Sequence, residues 1–321
     1  MATSQQAIPP IGMLGRSVMT RRRGALLELG AEWFIRSTGL LTIVLLVGIL
    51  ILLARQGLRL FIELDYPVGR FFTYGNAITD NTTDPKEFKF GVMPPLVATF
   101  WVTVMTLVFA IPLGLMTAAF ISEIAHPRVR LHIKSAAELL AGVPTIIFAF
   151  VGLALVVPRV NDYFGWGAGG LSGLTAGFVV SFVAVPLIIS ISDDAMQAVP
   201  VDYKENAYAL GCNKLQAIWC VIMPAAISGI AAAVMLGMAR AIGETMIVVI
   251  LAGGNSSLPH DPTESMRPMT ATIAAGFGNA SEQSLVRPAL YMTGAILFLL
   301  TFATTLIADT ILERQRKRFG R

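Results

Sequence analysis

Two charges stand in surroundings that do not solvate charge. Within the apolar stretch 227–251, Arg240 and Glu244 lie four residues apart. An ionised group at the centre of a bilayer costs at least about 2.5–3.5 kcal/mol. Residues i and i+4 share a helix face, so the guanidinium can reach the carboxylate and offset part of that cost. Gly243, between them, lets a neighbouring backbone come close. Two readings stay open: a structural ion pair that fixes packing, or a place where Arg240 meets an anion in transit. The forked donors of arginine suit a tetrahedral oxyanion. Glu244 would then hold the guanidinium and keep the anion from binding too tightly.

A second set of charges gathers in segment 192–224, which holds Asp193, Asp194, Asp202, Lys204, Glu205 and Lys214. Pro200 and Asp202 start a helix over 202–210, and Gly211 suits the left-handed turn that ends it. Asn213 caps a second helix over 214–223, which Pro224 stops. The product is a helix-turn-helix elbow. An elbow that reads DNA needs cations for phosphates, whereas this one is net acidic, so its partner is another protein and nucleic acid is excluded.

The elements that position these groups are membrane helices. The chain has 321 residues, 55% hydrophobic and only 14% charged, well to the apolar side of soluble domains. Runs near the ~20 residues needed to cross a bilayer recur at 33–53, 96–121, 139–157, 171–191, 227–251 and 289–311. About six spans follow. The third is interrupted by Pro144 and ended by Pro158, so a kinked helix is expected there. Lys and Arg crowd the two ends, as in Arg21-Arg22-Arg23 and Arg316-Lys317-Arg318, and the segments on the same side as them. This bias places both termini in the cytoplasm. It yields a basic arm over 1–32, a transmembrane domain over 33–311 with an outer loop at about 61–95, and a basic tail over 312–321. The first apolar run starts too far in, and is too long, for a cleaved secretory signal.

Several other patterns carry no chemistry. Gly165-Trp166-Gly167-Ala168-Gly169-Gly170 fits a dinucleotide fingerprint but follows an apolar helix rather than a strand, and reads as an outer turn. There is no P-loop. Cys212 and Cys220, eight apart without a nearby histidine, match no zinc spacing. His126, His132 and His260 are far apart and read as surface, Glu138 as interfacial, and Asn81-Thr82-Thr83 as a chance sequon. No nucleophile–base pair occurs in the spans, so the chain reads as a transport subunit and not an enzyme.

At this point the spacing resembles a known family. Glu205-Asn206-Ala207, Gly211, Val221, Met223 and Pro224 fit the EAA loop, E-A-A-x₃-G-x₉-I-x-L-P, of ABC importer permeases. Asn206, Val221 and Met223 depart in identity but not in position. The resemblance implies a MetI-like, all-α fold, and a loop that couples to a separate ATPase through Asp202, Glu205, Ala207, Gly211 and Pro224. The stretches 239–246, 140–150 and 269–274 narrow it, being similar to PstC-type permeases of phosphate importers. That likeness covers roughly 96–311. It implies a substrate path along Arg240, Glu244 and Thr245, and a bacterial inner membrane location. It further implies a PstA-type permease, a PstB-type ATPase dimer that holds the ATP and Mg, and an extracytoplasmic phosphate-binding protein. This chain itself is expected to bind no cofactor. The rivals are a permease for another oxyanion, such as sulfate or molybdate, and a stand-alone secondary transporter.

Overall fold

The computed structural model describes residues 11–77, 88–281 and 284–318. The acidic positions Asp80, Asp84 and Glu87, with Lys86 and the Asn81 sequon, lie outside the described residues. The chain divides into two units, Met1–Leu52 and Leu53–Arg321. The first is helical. Helix α1 runs Ile11–Ile62, and every side chain from Glu32 to Ile49 is exposed. A surface that apolar is covered in a membrane by lipid or by another chain. Within the basic arm over 1–32, the chain is helical from Ile11 onward.

In the second unit, α2 (Val68–Thr73) lies in the loop that follows α1. The Tyr66 hydroxyl donates to the Phe90 carbonyl (2.8 Å), and Tyr66, Phe71, Phe88 and Phe90 form one core with Leu285, Val286 and Leu290. Helix α3 (Met93–Ala119) opens on Pro94 and Pro95, residues suited to a first turn because their missing N–H groups would have no helical partner. It continues through a π turn, Phe120–Ile124. Amphipathic α4 (Pro127–Ala141) follows. Next comes one apolar helix built from α5 (Thr145–Val151), a π turn over Gly152–Val156 and α6 (Val157–Phe164).

This corrects the third span, which begins after Pro144 and passes through Pro158 rather than ending there. The π turn frees the carbonyl that the proline cannot bond. The glycine-rich stretch after it is a turn, with Gly165, Gly167, Gly169 and Gly170 all at positive φ.

Helix α7 (Gly173–Gln197), capped by Ser172, is the centre of the unit, with residues buried along its whole length. It packs along α3 at close range. A Cβ at Gly177 would stand 2.6 Å from that of Met105, so only glycine permits the approach. Helix α8 (Val201–Ala209) leads into α9 (Lys214–Ala217), a π turn over Ile218–Ile222 and α10 (Met223–Ala225). Helix α11 (Ile227–Ile242) departs from that stretch at 76°.

The remaining helices are α12 (Met246–Leu251), α13 (Met269–Asn279) and α14 (Val286–Arg318). Between α12 and α13 the chain folds back along the start of α7. There Gly173 N–H donates to the Glu264 carbonyl and Leu174 N–H to that of Pro262. Among the described residues, five helices are long and apolar enough to cross a membrane, or six if the bent pair is one span, in agreement with the count read from the sequence. Among the described residues there is no strand.

Candidate functional site

The expected fifth helix over 227–251 is broken where its charges lie. Helix α11 stops at Ile242 after 16 residues, about 24 Å of rise. Gly243 and Glu244 bridge to Thr245, which precedes α12. Hydropathy runs unbroken through this point, which is why the sequence shows one span where the structure has two pieces. Arg240 Nη1 stands 3.3 Å from Glu244 Oε2, so the pair exists, but it closes across a helix end rather than along a helix face.

The two partners are unequal. The Glu244 side chain is 3% exposed and that of Arg240 42%. Oε2 of Glu244 is buried without a hydrogen bond, so the contact is one of charge and leaves most guanidinium donors uncommitted. A carboxylate that deep is tolerated only because a cation faces it. The Thr270 hydroxyl donates to the Glu244 carbonyl (2.8 Å), satisfying an acceptor freed by the break. Next to it, Met269 N–H donates to the Thr99 hydroxyl on α3 (2.9 Å). Thr245, half-buried, turns its hydroxyl toward the Gly243 carbonyl (3.4 Å). The structure thus brings Arg240, Glu244 and Thr245 together and adds Thr99 and Thr270, which no local spacing announced.

The elbow forms as its local signals require. Helix α8 follows Pro200 and carries Asp202 in its first turn, where a negative charge suits the helix dipole. Gly211 holds φ +85°. The Asn213 side chain accepts from Gln216 N–H (2.8 Å), and the Gln216 side chain accepts from Asn213 N–H (2.9 Å), a reciprocal cap at the start of α9. Pro224 departs from expectation. It does not end the helix but sits in the first turn of α10, and the break falls two residues later, at Ala226, because the preceding π turn absorbs the proline. Asp202, Glu205 and Pro224 are exposed while Ala207 is buried. The outward side carries large apolar groups, among them Tyr203 at 55%, Leu210 at 86% and Trp219 at 62% exposed. An exposed apolar patch rimmed by charge marks a surface that another protein or the membrane covers.

The remaining charges at this end tie helices together. Lys204 on α8 meets Glu123 in the π turn after α3 at 2.6 Å. Arg130 and Lys134 on α4 flank Asp193 on α7, at 3.3 and 3.2 Å, and Lys134 also reaches Asp194 at 2.8 Å. Asp193 is fully buried. The hydrogen bond that Lys134 donates to Asp194 raises the Lys134 pKa, against the opposing effect of burial. His126, His132, His260 and Glu138 are exposed, and both cysteines are free. Among the described residues, no group of three His, Cys, Asp or Glu could hold a metal.

A bundle of apolar helices, one of them broken beside a buried carboxylate with a half-exposed cation and joined to an exposed elbow, fits a membrane transport subunit. Residues 110–318 match the family of binding-protein-dependent transport system inner membrane components, and the chain belongs to that family. It is 32% identical to a probable ABC transporter permease, YqgH, of Bacillus subtilis, over 94% of this chain and 96% of that one. It is 34% identical to the phosphate transport system permease protein PstC of Xylella fastidiosa, over 74% and 78%. To the PstC of Mesorhizobium japonicum it is 30% identical across the full length of both. Among solved structures, a bacterial ABC transporter for alginate import superposes with a TM-score of 0.57 over 90% of this chain and 98% of that one, at 13% identity. The MetNI methionine ABC transporter does so with a TM-score of 0.50 over 70% and 94%, at 16% identity. These two bear on fold alone.

Proposed function

We propose that this chain is one permease subunit of an ATP-driven importer of inorganic phosphate. The observation that carries the reading is a half-exposed guanidinium, held beside a buried carboxylate and retaining free donors, in a chain related to phosphate permeases. Guanidinium forks bind tetrahedral oxyanions in pairs of hydrogen bonds. The neighbouring Glu244 limits how tightly an anion is held, which a path needs more than a binding site does. Both termini face the cytoplasm in this reading, and so does the elbow.

The elbow docks on a PstB-type ATPase dimer, which holds the ATP and Mg. A PstA-type permease completes the path, and an extracytoplasmic phosphate-binding protein delivers the anion. Closure of the ATPase dimer moves α8 to α10, and the bundle changes access. Labelled phosphate uptake by cells carrying Arg240→Ala, with assembly of the complex monitored, tests this. Loss of uptake in an assembled complex is the expected outcome, and wild-type uptake removes Arg240 from the path. Sulfate or molybdate competing equally well with phosphate would move the assignment to another oxyanion.

A further inference from the structure

The elbow and the Arg240–Glu244 break stand at opposite ends of α11, and a second element also reaches both. Lys204 and Ala207 are three residues apart on α8 and so share a face, the one turned inward. Ala207 is 3% exposed, and the side chains of Lys204 and Glu123 are 20% and 8% exposed at 2.6 Å. The Ser122 hydroxyl also donates to Glu123 Oε1 (3.1 Å). A pair this short and this covered is a fixed joint, unlike a solvated surface bridge.

From Glu123 the helix runs back to Thr99, about 36 Å at 1.5 Å per residue. Pro112 lies inside α3 without ending it. At Thr99 the side chain hydroxyl accepts the N–H of Met269, and the adjacent Thr270 hydroxyl bonds the carbonyl of Glu244. The same helix therefore begins beside the charge pair and ends on the elbow.

We propose that α3 with its π turn is the rod that carries movement of α8 to the Arg240–Glu244 break, jointed by Lys204–Glu123 at one end and by Thr99–Met269 at the other. This rests on the reading of α8 as the ATPase contact. Lys204, Glu123 and Thr99 are positioning residues, since none of them touches the anion.

The test uses the full complex, both permeases with their ATPase pair, in lipid. Cys212→Ser and Cys220→Ser remove the two thiols of this chain, which is labelled before assembly with its partners. Met246→Cys, at a residue 43% exposed and next to Thr245, carries an environment-sensitive fluorophore. ATP is expected to shift the emission of this parent. Glu123→Gln and Lys204→Met are each expected to cut the shift about five-fold, and Glu123→Lys with Lys204→Glu to restore at least about half of it. Thr99→Val, remote from the ATPase, tests the far joint in a complex whose docking surface is intact and is expected to lower the shift similarly.

A full shift in both single charge variants, a full shift in Thr99→Val, or no shift in the parent overturns the rod. The readout does not depend on the anion. A parent complex that takes up no labelled phosphate overturns the substrate reading and leaves the emission result standing.

Discussion

Two ion-paired glutamates are nearly buried, Glu244 at 3% and Glu123 at 8% of side-chain exposure, but the cations that face them differ. Lys204 comes from a helix 81 residues away in sequence, approaches to 2.6 Å and is itself mostly covered. Arg240 comes from the same helix end, stays at 3.3 Å and is 42% exposed. A closed pair spends its charge internally and can only hold two elements together. An open pair leaves donors for something else, and its buried member keeps the cation in position without saturating it. Burial of the carboxylate is thus common to both, and the exposure of the partner separates a joint from a site.

Neutralising both members is the most direct way to break that contrast. Arg240→Met with Glu244→Gln removes the charges while keeping the volume, and it is expected to lower phosphate uptake at least ten-fold, about 1.4 kcal/mol or more. Arg240→Ala alone should also destabilise the assembled complex by about 1–3 kcal/mol, because the buried carboxylate loses its partner. Thermal unfolding in detergent reads that difference. Retained uptake in the doubly neutral protein would make the pair structural and erase the distinction from Lys204–Glu123.

The next effect is on the elbow. Gly211→Val forces a branched residue into φ +85° where no neighbouring atom intervenes, so the cost is conformational, about 1–2 kcal/mol. ATPase co-purification should fall while the helices remain inserted. Asn213→Ala removes one half of the reciprocal cap and costs about 1 kcal/mol, seen as faster hydrogen exchange over residues 213–217.

The smallest effect concerns Lys134. Its pKa is raised above the ordinary 10.5, chiefly by the hydrogen bond to Asp194. Its contribution is fully present below pH 10.5 and is lost as pH rises through the higher folded value. With the side chain 27% exposed, about 0.5 kcal/mol is at stake. Lys134→Met should flatten the alkaline limb of the stability curve by that amount.

How far the sequence discloses these regions depends on whether the signal is local. Pro200, Asp202, Gly211 and Asn213 each act on their own few residues, and the elbow appears where they place it. Arg240 and Glu244 stand out because charge is rare in apolar sequence. The break between them does not, since hydropathy carries no information about a helix ending at Gly243. Pro144 and Pro158 look alike in sequence, and only the intervening π turn decides that one precedes a helix and the other lies within it. Lys204 with Glu123, and Thr270 with Glu244, join residues 81 and 26 positions apart. Such contacts are properties of the packed bundle, and no window along the chain contains them.

The π turn at Phe120–Ile124 gives the spacing of this chain a meaning apart from its residue types. A π turn accommodates one residue more than an α-helix would over the same rise, and each residue turns the helix by about 100°. Removing a single residue between Thr99 and Glu123 would therefore swing the carboxylate away from Lys204 while leaving every remaining identity intact. Length over this segment is as much a determinant as the glutamate itself, and a deletion library would find it where a substitution library would not.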